Sequence, residues 1–450
     1  MKKIFQYIML AVVTIVMPSC TSDIEEITAT TGKSNVHLVV GEFPAFGDPQ
    51  TRAIGTPDEG KTSWAEGDEL LLEMTSTTLG TKYAAFTYNG SSWELTSGEL
   101  SYKEDEVPTF PHVYYAPNYK WEAGKLVLKE GKVAGTDEYI EGKANITPNG
   151  EGINVSFADA TRNYSRLRIA TMPNKQITFD INKYTPAGSS NMEWFIENYA
   201  LTSDEKGNAY LYGTFVPISI VDVKYGGVLL ATHTFYQAAE NAKSYALDAT
   251  VISANSAEEI KSAIEQKLAD GKTTIRLNLA SDAGDNEFEA IREAIKDAAP
   301  NDEGTIELTI IGVETIPEKA FYDMQQLKSV QMSDVKEIKK FAFEYCEHLT
   351  AVEAPSLNKL YSGAFNECSQ LSELTFGPIN YADAREWPIF EYITENIDLI
   401  LSDYQKEMIE TDSYLYTANN DRDYAGSDEH NSKKFLGREF KSITCRYKVE

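Results

Sequence analysis

Between residues 306 and 376 the chain repeats itself every 22 residues, and few folds tolerate such a period. Ile316, Ile338 and Leu360 stand in register, as do Ala320, Ala342 and Ala364, then Phe321, Phe343 and Phe365, then Leu327, Leu349 and Leu371. Leu308, Val330, Val352 and Leu374 form a further ladder with polar residues on either side. A unit this short cannot bury its own apolar side, so successive units must stack and share one core. The sharing predicts a binding surface without chemistry of its own. Side chains two apart in a strand share a face. With the Leu308 ladder inward, the outward ladders are Glu307, Ser329, Ala351, Glu373 and Thr309, Gln331, Glu353, Thr375, and these are the candidate ligand-binding residues.

A period of 22 with small apolar ladders fits a leucine-rich-repeat solenoid of α/β class. Lys319-Ala320-Phe321, Phe341-Ala342-Phe343 and Gly363-Ala364-Phe365 are each followed by Met or Cys three residues on and by Leu six residues on. This pattern resembles the BspA-like leucine-rich repeats of bacterial surface proteins. The resemblance implies adhesion to host or microbial surface proteins or glycans. Ahead of the repeats the pattern turns helical. Ser256 and Glu259 carry the capping-box signature, followed by Ile260, Ala263, Ile264 and Leu268 on one face and Gly271 past the end. Ile275, Leu277 and Leu279 alternate as a strand, and a second helix runs from Asn286 to Pro300 with Phe288, Ile291, Ile295 and Ala298 on its face. These longer first turns are read as a helical N-terminal cap. After Phe376 the ladder is expected to stop, with a C-terminal cap containing closing strands at 395–401 and 441–447 and a short helix at 404–411. Asp421, Asp423, Gly426 and Asp428 invite a calcium reading of residues 419–432, but Ala425 and Ser432 stand where an EF-hand loop needs an oxygen ligand and a bidentate Glu. The segment is read as a solvated loop, and no metal or other cofactor is assigned.

Residues 34–252 read as strands. Val36, Leu38 and Val40 alternate; Phe86-Thr87-Tyr88 and Trp93-Glu94-Leu95 flank Asn89-Gly90-Ser91-Ser92, a hairpin signal; a second hairpin crosses Gly226-Gly227. Many short strands without helical periodicity predict all-β sandwiches, and the length allows two, divided near residues 142–147. Thr51-Arg52, then Trp64-Ala65-Glu66-Gly67-Asp68 opening a strand, then Ser165-Arg166-Leu167-Arg168-Ile169 resemble the fimbrillin-like surface lipoproteins. The resemblance implies two transthyretin-like sandwiches and a role in fimbriae or adhesion. In that family some members are cut after an Arg in the early loop, which makes Arg52 a candidate processing site, and strand donation between fimbrial subunits would follow. Trp64 and Asp68 are read as a turn and core anchor.

Residues 1–19 read as an address: Lys2 and Lys3, then an apolar run too short for a comfortable span, then Met17-Pro18-Ser19-Cys20. They resemble a lipoprotein signal peptide that leaves lipid on Cys20, and the acidic cluster Asp23-Ile24-Glu25-Glu26 resembles a surface-export signal. Residues 20–33 are then a tether, 34–143 and 144–252 the two β-domains, and 253–450 the capped repeat domain. The expected location is the outer-membrane surface. A net charge of −28 excludes a nucleic-acid partner and repels anionic membrane surfaces. Four cysteines do not make a disulfide scaffold; Cys346 and Cys368 are read as buried free thiols. The five histidines sit in no catalytic spacing, and GxSxG, GxGxxG and P-loop motifs are absent. The chain is therefore expected to be a non-catalytic surface lipoprotein that binds through the repeat face, with a fimbrial assembly component and a glycan-capture protein as rivals.

Overall fold

The structure, a computed structural model, describes residues 36–44, 60–103, 105–142, 144–149, 152–157, 162–254, 256–383, 386–393, 396–402, 434–436 and 438–447. Cys20, Arg52, the tether, the expected helix at 404–411 and the acidic loop at 419–432 lie outside the described residues. The described chain is β-rich and multidomain. Its first part holds β1 (Val36–Val40), β2 (Glu69–Ser76), β3 (Gly80–Tyr88), β4 (Trp93–Gly98), β5 (Thr109–Tyr115), β6 (Tyr119–Glu122), β7 (Lys125–Leu128), β8 (Ile140–Gly142), β9 (Asn145–Asn149) and β10 (Gly152–Phe157). One sheet runs in the order β4-β3-β2-β5-β8; a second runs β1-β10-β9, with β1 parallel to β10. Ile153, Val155 and Phe157 pack with Leu70, Leu72, Met74, Phe86 and Val113 in one core. β9 and β10 follow the division expected at residues 143/144, and β10 packs its apolar residues against β2, β3 and β5 of the first part, in a cluster that Tyr164, Ala187 and Tyr212 also join. The expected hairpin is present, pairing Tyr88 with Trp93. Trp64 anchors this core as expected, donating its indole N–H to Gly41 O at 2.8 Å and meeting Phe43, Trp93 and Tyr115 edge-on. Asp68 closes the adjoining turn by accepting from the Ala65 amide.

The second part holds β11 (Ser165–Ala170), β12 (Gln176–Pro186), β13 (Glu193–Thr202), β14 (Asn208–Phe215), β15 (Ser219–Tyr225), β16 (Val228–Phe235) and β17 (Ser244–Asp248). The order is β16-β15-β12-β14-β11-β17, with β13 paired to β12. A second core gathers Leu167, Ile169, Phe179, Ile181, Leu211, Phe215, Val221 and Val223.

The last part opens with β18 (Ile252–Ser253), α1 (Ala257–Ala269), β19 (Thr274–Asn278) and α2 (Asp285–Ala298). Ser256 caps α1 by accepting the Glu259 amide at 3.3 Å, as its spacing predicts. The repeats follow as β20 (Ile306–Ile311), β21 (Thr315–Ile316), β22 (Leu327–Gln331), β23 (Glu337–Ile338), β24 (Ala351–Ala354), β25 (Lys359–Leu360), β26 (Glu373–Phe376) and β27 (Tyr381–Ala382). Then come β28 (Asp398–Ser402), β29 (Lys434–Phe435), β30 (Arg438–Glu439) and β31 (Ser442–Tyr447). Among the described residues, one parallel sheet runs β18-β19-β20-β22-β24-β26-β28-β31 and a narrow one β21-β23-β25-β27. Both helices pack on the inner side of the wide sheet, where later turns place the short strands, so they stand at the head of the same core. The ladder does not stop at Phe376: Glu373 pairs with Asp398 and Leu374 with Leu399, across a turn three residues longer than its predecessors.

Inside the repeats the equivalent residues touch. Phe321 and Phe343 stack at 5.1 Å, Phe343 and Phe365 at 5.3 Å, Phe365 and Phe390 at 5.6 Å; Phe288 and Phe440 close the column edge-on. The loop before each Phe repeats left-handed backbone at Lys319, Phe341 and Gly363, and at Gly363 a Cβ would lie 2.4 Å from the Phe341 ring. Cys346 and Cys368 are free and fully buried. Each thiol donates to the carbonyl of the preceding turn, Cys346 to Phe321 O and Cys368 to Phe343 O, both at 3.0 Å. Parallel stacking thus gives each sulfur a carbonyl partner, and burial, with the neighbouring Cys346 thiol second, pushes the Cys368 thiol well up. Neither thiol is expected to react with a thiol-specific dye until the protein is unfolded; peptide mapping that found a Cys346–Cys368 bridge would contradict this.

Candidate ligand-binding groove

The parallel register fixes the outward face. Glu307 pairs with Ser329, Ser329 with Ala351 and Ala351 with Glu373; Thr309 pairs with Gln331, Gln331 with Glu353 and Glu353 with Thr375. All eight expected residues therefore share one face, and all eight line a single groove of about 420 Å³. Their inward neighbours Leu308, Val330, Val352 and Leu374 are buried in the shared core. The alternation holds because one side of each strand must bury apolar surface worth about 25 cal/mol per Å², and the other side is free to be polar.

Two walls of the groove come from elsewhere. Continued back through β19, the ladders add Thr274 beside Glu307 and Arg276 beside Thr309. Leu229, Leu230, Ala231 and Thr232 of β16 form the opposite wall. The second β-domain and the repeats meet at this point. Arg276 Nε donates to Leu230 O at 2.5 Å, Lys267 Nζ donates to Thr250 Oγ1 at 2.6 Å, and Ile311 packs into the second core. None of the wall residues was singled out in the sequence. Arg276 alternates with Ile275 and Leu277 and so reads as an ordinary solvated strand position, whereas β16 lies far back in the chain.

A polar chain crosses the groove floor. Thr309 donates to Gln331 Oε1 at 3.4 Å, and Gln331 Nε2 donates to Glu353 Oε2 at 3.4 Å. Withdrawal from water raises the Glu353 carboxyl above its usual range, and Glu373 adds repulsion of like charge. Glu353 is nevertheless exposed at the rim. At the other end burial depresses Arg276, opposed by Asp248 and Glu307. Burial would lift Asp248, but the Thr250 hydroxyl and amide, with Lys267 and Arg276, hold it low. Glu307 is committed sideways to Lys328 at 2.7 Å. The groove thus has a cationic end and an acidic end.

No curated protein matches this chain. Among solved structures it matches the crystal structure of a "putative cell adhesion protein" from Bacteroides fragilis NCTC 9343, at 9% identity over 48% of this chain and 92% of that one. The TM-score is 0.23, too low for that likeness to bear on fold or function. The pattern of the BspA type leucine rich repeat region matches residues 302–407 in six copies, covering the wide parallel sheet from β20 to β28 and the floor of the groove. Residues 302–407 are a BspA type leucine-rich repeat region.

Proposed function

We propose that the chain is a non-catalytic cell-surface lipoprotein that captures a ligand, in the manner of an adhesin, in the groove between the repeat face and β16. The observation that carries this reading is the convergence of all eight outward repeat residues on one groove with a second domain as its wall. Ligands are commonly read in concave sites where a few polar groups converge. In this reading the repeats form a solenoid with α1 and α2 as its N-terminal cap, and the two β-domains are transthyretin-like sandwiches acting as a stalk. Lipid on Cys20 would hold the stalk at the outer membrane and carry the repeats outward. The partners are host or microbial surface molecules.

The glycan reading has one observation in its favour, the exposed Trp194 and Phe195 on β13. Consecutive strand residues face opposite sides, so these two rings do not share a platform. The fimbrial reading rests on Arg52, outside the described residues.

The test is binding of the chain from residue 20 onward, without lipid, to arrays of extracellular-matrix proteins and glycans. The β-domains must be kept, because a fragment starting at Ser253 would lack the β16 wall. Charge reversal at the rim, Glu353→Lys with Glu373→Lys, is expected to weaken saturable binding at least tenfold, and Glu318→Lys outside the groove to leave it unchanged. Binding that ignores the rim reversal would remove function from the groove.

A further inference from the structure

The groove's two ends differ in charge, and the difference is built from different elements. Arg276 is 7% exposed and lines the groove, yet only its Nε is engaged, by Leu230 O. Among the described residues no carboxylate forms an ion pair with it, and its two Nη groups have no acceptor. A buried guanidinium with free donors is set up to receive an oxyanion in bidentate fashion. Glu353 and Glu373 stand at the opposite end. Arg276, Thr309, Gln331 and Glu353 are successive rungs of one ladder. Three strand spacings of about 4.8 Å put Arg276 and Glu353 roughly 14 Å apart.

Building on the groove reading above, we infer that the ligand is an extended polypeptide segment with a carboxylate at Arg276 and a Lys or Arg four residues away at Glu353 and Glu373. In an extended chain positions i and i+4 share a face and lie about 14 Å apart, which matches the two charged ends. Thr309 and Gln331 between them present hydroxyl and amide groups to the peptide units of the intervening residues. The wall supports the same class. β16 ends the strand order of its sheet, so among the described residues no strand is hydrogen-bonded to its outer edge; Leu230 O is taken by Arg276, and the rest of the Leu229–Thr232 edge lines the groove, where an extended peptide could pair with it. A neutral or acidic oligosaccharide supplies no cation for the acidic end.

The full chain from residue 20 would be titrated with three blocked pentapeptides: Asp-Ser-Thr-Ser-Lys, the respaced Asp-Lys-Ser-Thr-Ser, and the uncharged Asn-Ser-Thr-Ser-Gln. The first is expected to bind saturably and the other two at least tenfold more weakly. Glu353→Gln with Glu373→Gln is expected to erase the preference for the first peptide over the third at the lysine end. Arg276→Gln should erase it at the aspartate end, and because Arg276 also holds β16, the glutamine pair on the rim serves as the variant that leaves the interface intact. Equal binding of the first two peptides would overturn the assignment, as would failure of all three to bind. Capture of an anionic oligosaccharide such as heparin in the groove, sensitive to Arg276 but not to the rim glutamates, would overturn it in favour of a glycan. If array ligands bind with the groove variants silent, the underlying groove reading fails instead.

Discussion

Replacing Phe343 by alanine is expected to cost about 3–5 kcal/mol of stability, at the top of the range for large-to-small core changes. The ring is fully buried and stacked on both faces, against Phe321 and Phe365, so its removal leaves a void bounded by two flat rings that cannot both close on it. Its backbone also sits in two rungs between turns, the amide to Ala364 O and the carbonyl receiving the Cys368 thiol, and these resist local collapse. In a stack where each turn contacts only its neighbours, the loss falls on the two adjoining interfaces and uncouples what lies on either side. Urea unfolding should therefore show both a lower midpoint and a broader transition, whereas Tyr345→Ala, on an exposed ring nearby, should lose far less. A Phe343→Ala loss under about 1 kcal/mol would mean the column is not what holds the turns together.

The same column explains what the sequence could show. A 22-residue period aligns Phe with Phe and Cys with Cys, and it also aligns the strands, so the outward residues Glu307 to Thr375 follow from the inward ones by alternation alone. Information of that kind is local and repeats. The groove's other half is not local. Leu229–Thr232 lie some 40 residues before α1 ends, and Arg276 occupies a position whose neighbours announce only a strand. β13 shows a related limit: Trp194, Phe195, Glu197 and Asn198 are exposed along much of its length, so no buried face marks its place in the sheet. The pairing of β1 with β10 across more than a hundred residues was not legible either, because no pattern within either strand records its partner. The ladder's continuation into β28 was hidden by a longer turn, which breaks the period without breaking the register.

Glu138→Gln should destabilise the junction of the two β-domains by about 3–5 kcal/mol, the cost of leaving a buried charge without its partner. Glu138 follows the β6-β7 hairpin and reaches Arg162, just ahead of β11. Arg162 Nε and Nη2 donate to the two carboxylate oxygens at 2.9 and 2.8 Å, and the Tyr164 hydroxyl donates to the same carboxylate. Both side chains of the ion pair are essentially inaccessible. Burial alone would weaken the Arg162 charge, but the hydrogen bonds and charge of Glu138 more than restore it; burial and Glu138 together push the Tyr164 hydroxyl well up, so it stays a donor. The amide that replaces the carboxylate keeps the shape and discards the charge, so the guanidinium is left desolvated beside a dipole. The sign of the effect can be isolated. With Arg162→Met in the same chain the unpaired charge is gone, and the double variant should lose less than the sum of the single losses. Thermal or urea unfolding of the four proteins gives the coupling directly. A double variant as unstable as that sum would mean that the pair does not act as a unit, and that Tyr184 and Tyr199, which reach across to Gly135 O and Ala134 O, hold the two domains together instead.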